Sequence, residues 1–360
     1  MRILYLAFDD LSLPYAWTVH VRAVVNGLIA RGHDLRLVAP GGRALGIGAP
    51  CDPLPPGRWN HMWGSLGVFV RSGRDFGPDV VYVRGLHLSV TPALAAGRLG
   101  RPLVVEVNGL LEYEVPSGWR RAAVRATHRF TLGRAARVVT VSPLLREALT
   151  RRYGFPASRI DVVPNGADLR LFRPRDRDEA RRRLGLPPDR TIVFCAASFY
   201  RHHGVEILVE AAGRAGALLV LAGGGSGGEG VLSLGPVPHE RIPEYVAAAD
   251  LCACVLRVPH RHFGFSPLKV YEAMAGGRPV AVATDLEELR DFVNRNGVGI
   301  AVPPEPGALA EAIRRLAGDP DLRRRLGRRG RELAESAFGW DRAAAQVEES
   351  LKKAAGVDPI

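Results

Sequence analysis

Met1-Arg2-Ile3-Leu4-Tyr5-Leu6-Ala7-Phe8 reads as a β-strand stopped by Asp9-Asp10, Ala16–Arg31 as a helix ending at Gly32, and Asp34–Ala39 as a second strand closed by Pro40-Gly41-Gly42. A strand, a helix and a strand in that order make one βαβ unit, which demands a parallel pair. The opening apolar run is only six residues long, so it is expected to be a core strand and not a secretory leader. The scheme continues outward. Val80–Val83, Leu103–Val107 and Val138–Val141 are further strands, and Pro92–Arg98 is helical. In the second half, Thr191–Ala196, Ala217–Ala222, Leu251–Val255 and Pro279–Ala283 read as strands, interleaved with helices at Val205–Arg214, Ile242–Ala249 and Leu268–Ala275. The expected fold class is therefore α/β, with two Rossmann-like doubly wound parallel-sheet domains. In such sheets ligands lie beyond the carboxyl ends of the strands, so the expected site is a cleft between the two.

With 360 residues, 47% hydrophobic and 24% charged, the chain is large enough for two ordinary domains and is neither disordered nor collagen-like. No uncharged apolar run approaches the ~18 residues needed to span a bilayer. The expected domains are 1–172, a charged linker at 173–190, a second domain at 191–338, and a last segment, 339–360. Cys195, Cys252 and Cys254 lie in apolar strands and read as buried thiols, and with Cys51 they suit a reduced, cytoplasmic setting.

Charge is uneven. Residues 1–180 carry 25 bases and 15 acids, whereas residues 181–360 carry 24 bases and 22 acids. A basic first half suits a phosphorylated substrate, an anionic membrane or nucleic acid. Nucleic acid is disfavoured because aromatic and basic residues are not interleaved along the strands. Only three bases are lysines, and Lys352 and Lys353 sit near the end of the chain, so Lys269 is the one interior lysine.

Gly223-Gly224-Gly225-Ser226-Gly227-Gly228 contains a formal Gly-x-Gly-x-x-Gly after a strand, but no helix follows, so a dinucleotide fingerprint is a weak reading. The segment from Phe263 through Gly264, Phe265, Ser266, Pro267, Leu268 and Lys269 to Glu272 carries more chemistry. Pro267 suits a first helical turn, whose free amides form an anion site. Lys269 and Glu272 are three apart and share a helix face. A surface ion pair between them is the plain alternative. The apolar neighbours Val270, Ala273, Met274 and Ala275 instead favour buried partners, a phosphate for Lys269 and a ribose diol for Glu272.

This segment resembles the donor-binding motif of the group 1 glycosyltransferases with the GT-B fold. The opening segment with Arg31-Gly32-His33, the stretch Val162–Pro174, the loop 197–205, Leu234–Pro238 and Phe338-Gly339-Trp340 resemble further family segments in family order. The resemblance implies a glycosyltransferase moving a sugar from a nucleotide diphosphate sugar to a hydroxyl of a glycan, lipid-linked or small-molecule acceptor. It further implies retention of configuration, the donor in the C-terminal domain, the last segment packed back on the N-terminal one, and no metal or other cofactor. Glu272 matches the glutamate that holds the donor ribose. The first glutamate of that motif falls at Gly264, and the phosphate-loop Arg and Lys fall at Ser198 and His203. These departures leave the diphosphate charge to Lys269, with Arg201. Val237 falls in a donor-side segment.

Asn108, in Val105-Glu106-Val107-Asn108-Gly109, stands where the family often has a histidine near the reacting sugar. An amide is no base at neutral pH, so its expected role is a hydrogen bond to a sugar hydroxyl, and a turn asparagine is the plain alternative. Trp17 and His20 are expected on the acceptor side. Arg121, Arg125 and Arg129 recur every four residues after Trp119, as a solvated face or a contact with anionic lipid. Trp59, Met62 and Trp63 are a second candidate for lipid contact. His202, His203, His260 and His262 show no trusted metal spacing. Two alternatives stay open: a nucleotide-sugar epimerase or phosphorylase of the same fold, and a catalytically silent GT-B partner subunit.

Overall fold

The computed structural model describes residues 1–13, 15–40, 46–54, 64–113, 115, 118–197, 204–223, 227–257 and 266–357. Two compact units are present. The first comprises Met1–Asn165 with Ser266 and the chain from Trp340 onward, and the second comprises the chain from Gly166 and Pro267–Gly339.

In the first unit, β1 (Arg2–Ala7), β2 (Asp34–Pro40), β3 (Cys51–Leu54), β4 (Val80–Arg84), β5 (Leu103–Val107), β6 (Ala135–Thr140) and β7 (Ile160–Val162) form a seven-stranded sheet of order β3-β2-β1-β4-β5-β6-β7. In the second, β8 (Ile192–Ala196), β9 (Leu218–Ala222), β10 (Val231–Ser233), β11 (Leu251–Leu256), β12 (Val280–Thr284) and β13 (Gly299–Val302) form a six-stranded sheet of order β10-β9-β8-β11-β12-β13. Every pairing between these strands is parallel. Both orders reverse once, between β1 and β4 and between β8 and β11. A doubly wound sheet opens a crevice at that reversal, so each unit has one predictable ligand position.

Burial explains the sequence pattern. β4, β5, β9, β11 and β12 are apolar almost throughout because helices cover both faces of a parallel sheet. The short β3 and β7 escape the sequence pattern. β3 is an edge strand containing Pro53, the place where a missing amide is tolerated, and β7 has three residues.

The first unit recruits its last helix from far along the chain. α13 (Trp340–Ala355) packs on α1 (Ala16–Ala30). Gly27 permits this approach, since a Cβ there would come within 2.5 Å of the Ala344 Cβ. Glu348 pins the contact by accepting from Arg31 and lying 3.0 Å from His33 Nε2 and 2.9 Å from Lys352 Nζ.

Residues 173–190, expected as a linker, contain α6 (Arg177–Leu184) and belong to the second unit, whose chain begins at Gly166 and not after residue 172. Arg181 is the physical reason. It is 2% exposed, donates to Asp250 Oδ2 at 2.7 Å and to the Ala248 carbonyl at 2.9 Å, and so locks this charged helix onto α8 (Ile242–Ala248).

Candidate active site

In the second unit, α9 (Leu268–Ala275) starts one residue after Pro267, which caps it in an extended conformation. The expectation that Pro267 lies in the first turn is corrected by one residue. The open amides are those of Leu268 and Lys269, while Val270 N already donates to the Pro267 carbonyl at 3.0 Å. Lys269 and Glu272 line one pocket together with Phe194 and Ala196 of β8 and Cys252 and Ala253 of β11. That is the pair of strands at which the strand order reverses.

The Lys269 Nζ is buried and has no hydrogen-bond partner among the described residues. No ion pair joins it to Glu272, so the plain surface-pair alternative does not hold. Burial pushes the Cys195 thiol up and the Cys254 thiol up to about 12, and the Lys269 ammonium opposes both shifts, which places the cation beside β8 and β11. Glu272 is buried, and its Oε1 lies 2.7 Å from His239 Nε2. His239 opens the short turn His239–Arg241 after Pro238, and its ring lies 5.4 Å from that of Phe172. Val237, the residue of this segment expected on the donor side, lies two residues earlier and is half-buried. A histidine following Pro238 was the available signal.

Gly223 ends β9 with φ +114°, and a Cβ there would sit 2.3 Å from the Ala197 carbonyl oxygen, so glycine is required by both conformation and space. Among the described residues β10 follows β9 with no helix between them, and Gly224, Gly225 and Ser226 of the glycine-rich run lie outside the described residues. Ser198, Arg201, His203, Gly264 and Phe265 lie outside the described residues, as do Trp59, Met62, Trp63, His202, His260 and His262.

In the first unit the carboxyl ends of β1, β4 and β5 carry one polar network. Glu106, 1% exposed in the middle of an apolar strand, accepts from Tyr82 Oη and Asn108 Nδ2, each at 2.5 Å. His20 Nε2 lies 2.8 Å from Glu106 Oε1, and Arg84 Nε lies at 3.6 Å. Arg84 also pairs with Asp9. The other ring nitrogen of His20 lies 2.8 Å from Asn165 Oδ1, and Asn165 is oriented by donating Nδ2 to the Ser266 carbonyl and its backbone N–H to Ser266 Oγ. Asn108 and His20 are thus brought together, through Glu106. Trp17 is held apart from them; its indole donates to the Asp10 carbonyl and its ring packs on Tyr15. Glu106 was the residue sequence reading passed over, although a carboxylate inside Leu103–Val107 is a signal in itself.

The expected arginine stripe of α4 (Trp119–Leu132) is corrected. Arg125 donates to the buried Glu112 at 3.0 Å and Arg121 to the Val115 carbonyl, so both turn inward. Glu112 also binds Arg152 and Tyr153, a partner set that fixes the direction of these side chains. Of the three stripe arginines only Arg129 is exposed, and the outer face also carries Trp119, 76% exposed, with Arg120 over its ring. Among the described residues no group of three or more His, Cys, Asp or Glu is placed to hold a metal ion.

The first unit should lose stability in two steps on acidification. Burial lowers His128 to about 4, so below about 6.5 the unfolded chain takes up a proton that the folded one refuses. Burial alone would raise Glu106, but His20, Arg84 and Tyr82 outweigh it and hold the carboxyl down to about 2. Its contribution is present above the unfolded value of about 4.3 and is lost as pH falls toward 2. Urea titrations between pH 7 and 2.5 should show a first decline below pH 6.5 that His128→Gln reduces, the remainder coming from His33, which burial also lowers, and a second below pH 4.5 that remains.

Two parallel sheets of this order, the second with a cation at its reversal that has no partner among the described residues, define the class as a two-domain GT-B protein. The Glycosyltransferase Family 4 profile matches residues 18–171, and the Glycosyl transferases group 1 profile matches residues 176–333. D-inositol 3-phosphate glycosyltransferase 1 of Catenulispora acidiphila is 33% identical, over 74% of this chain and 70% of that protein. The enzyme of the same name from Acidothermus cellulolyticus is 29% identical over 90% and 82%. Among solved structures, sucrose-phosphate synthase from Thermosynechococcus elongatus superposes with a TM-score of 0.79 at 24% identity, covering 97% of both chains. Anabaena HepE in complex with UDP and glucose does so with a TM-score of 0.79 at 21% identity, covering 98% of this chain and 99% of that one. The chain belongs to the group 1 glycosyltransferases and is a glycosyltransferase.

Proposed function

We propose that this glycosyltransferase takes its sugar from a nucleotide diphosphate sugar bound in the second unit, with Lys269 facing the diphosphate and Glu272 the ribose. The observation that carries the reading is the buried Lys269 Nζ with no partner among the described residues. A buried ammonium left unpaired is costly, and an anionic ligand removes the cost. The departing diphosphate develops charge as the glycosidic bond breaks, and a fixed cation with two helix amides is suited to stabilise it. HepE, of the same fold, has been solved with UDP, in keeping with this donor class. On this reading the protein supplies the charge compensation itself, so transfer should proceed unchanged in excess chelator.

The acceptor hydroxyl belongs to the first unit. Asn108 spends its Nδ2 on Glu106, which leaves its carbonyl oxygen to accept from a sugar or polyol hydroxyl. The relatives named for D-inositol 3-phosphate make a phosphorylated polyol the first acceptor to try. Retention is part of the proposal, and an inverted product by NMR would reject it. Titration calorimetry with UDP, ADP and GDP, then a transfer assay with the matching sugar nucleotide, tests the whole. Donor isomerisation without transfer would favour an epimerase of this fold, and absence of any nucleotide binding a silent partner subunit.

No helix of the described residues is long and apolar enough to cross a membrane. We place the chain in the cytoplasm, with peripheral contact through the outer face of α4, where Trp119, Arg120 and Arg129 combine an interfacial aromatic with cations. Capture on phosphatidylglycerol vesicles should weaken with rising salt and disappear in Trp119→Ala; capture indifferent to lipid charge would reject the contact.

A further inference from the structure

The second unit holds a large cavity that the donor chemistry does not use. Its volume is about 720 Å³, within the usual range for small-molecule sites, and six arginines line it: Arg177, Arg278, Arg323, Arg324, Arg328 and Arg331. Asp250 and Glu332 are the acids in the lining. This excess of cations does not follow from composition, because residues 181–360 as a whole are nearly balanced, with 24 bases and 22 acids.

The cavity lies away from Lys269. Asp250 immediately precedes β11, and Arg278 and Pro279 immediately precede β12, so the lining gathers at the amino ends of the strands. Lys269 is in the first turn of α9, and Gly277 in the cavity wall follows its last turn. The eight residues of α9 separate the two by about 12 Å, at 1.5 Å per residue.

Three of the six are paired with carboxylates, Arg177 with Asp178 and Asp250, Arg324 with Asp321 and Arg331 with Glu335, whereas Arg278, Arg323 and Arg328 are held in place with little or no compensation. Arg278 donates to the carbonyls of Val246, Ala247 and Arg175 and meets no carboxylate among its hydrogen bonds. Arg323 donates to the carbonyls of Leu316 and Ala317, and Asp250 is no nearer than 3.9 Å. The Asp250 carboxylate is already committed to Arg177, Arg181 and the Ile192 amide. Arg328 is exposed with no ion-pair partner among the described residues. Burial, together with the like charges of Arg177 and its neighbours, depresses both Arg278 and Arg323, the strain that an anion between them would relieve. Gly327 keeps the wall close, since a Cβ there would meet the Gly277 carbonyl oxygen at 2.2 Å.

We propose that this cavity is a second ligand site, separate from the donor pocket, which binds a phosphate-bearing anion through a ring of arginines. Guanidinium groups fixed by backbone carbonyls keep N–H donors in a planar fork, the geometry that matches phosphate oxygens. The phosphate could be carried by a free small molecule or by a lipid headgroup.

The test uses inorganic pyrophosphate titrated into the full-length chain carrying Lys269→Ala, so that the donor pocket does not report. Adding R324Q and R328Q removes two exposed cavity arginines without touching a buried contact. Adding R325Q and R329Q instead removes the same charge from the same helix outside the cavity. The expected result is saturable binding that weakens at least about tenfold with the first pair and little with the second, because each charge-assisted contact is worth roughly tenfold or more. Flotation with phosphatidylglycerol vesicles, in proteins that also carry Trp119→Ala so that α4 does not report, distinguishes the sources. Pyrophosphate binding assigns a soluble ligand, whereas vesicle capture lost only with R324Q and R328Q, and no pyrophosphate binding, assigns a headgroup. Equal weakening by both pairs, or neither pyrophosphate nor vesicle binding, overturns the site.

Discussion

Lys269→Ala should weaken binding of a nucleoside diphosphate roughly 10- to 150-fold, since a hydrogen bond to a charged group is worth about 1.5–3 kcal/mol and about 1.4 kcal/mol is tenfold. The bare nucleoside should be affected far less. The unliganded variant should melt no lower than the parent, because the substitution deletes a buried ammonium with no partner among the described residues. That opposition, ligand affinity down and apo stability held or raised, separates a ligand-facing cation from a structural one. Glu272→Ala should behave differently. It should weaken nucleoside mono- and diphosphates alike, because both carry ribose, and it also strips His239 of its carboxylate. If the diphosphate is stabilised as it departs, kcat should fall with affinity in Lys269→Ala. Calorimetry showing that a folded Lys269→Ala protein binds the diphosphate as tightly as the parent would defeat the assignment.

Glu106→Ala should be the most destabilising single change in the first unit. It leaves Arg84 and Tyr82 buried around an empty position and frees Asn108 and His20. Breaking a buried charge pair by removing one partner costs about 3–5 kcal/mol. Each kcal/mol shifts the melting temperature of a domain of this size by about 2–4 °C, so the first-unit transition should fall by roughly 6–20 °C. Glu106→Gln keeps the shape and an acceptor oxygen and should recover part of the loss. A melting temperature unchanged in Glu106→Ala would show that the network is dispensable, and Asn108 would then lose its argument as a positioned acceptor contact.

Local pattern carried the architecture. Buried parallel strands must be apolar, so β1, β5, β9 and β11 stand out in the chain, and α9 was bounded by Pro267 and Gly276. Lys269 and Glu272 were legible because helical spacing alone places them on one face, and the structure puts both in one pocket. Partners distant in sequence were not legible. His239 reaches Glu272 across 33 positions and Asn165 reaches His20 across 145, and no periodicity encodes either meeting. The α4 arginines show the opposite failure. Their four-residue spacing was real, but the buried Glu112 drew Arg125 inward and left Arg129 as the one of the three on the exposed face. The arginine cavity was invisible for the same reason, since its lining comes from α6, the turn after α9, and α12 (Pro320–Ala337).

The recruitment of α13 by the first unit sets an order on biosynthesis. When Asn165 leaves the ribosome, the seven-stranded sheet is complete, but the α1 surface around Gly27 still lacks its cover. At 5–20 residues per second, the roughly 170 residues before Trp340 take on the order of 10–35 s to make. For that interval the nascent first unit presents an uncovered apolar seam, while the second unit is still emerging between it and its missing helix. The earlier of the two units is therefore the later one to finish folding, and a nascent chain stalled anywhere before α13 would offer chaperones that seam as a handle.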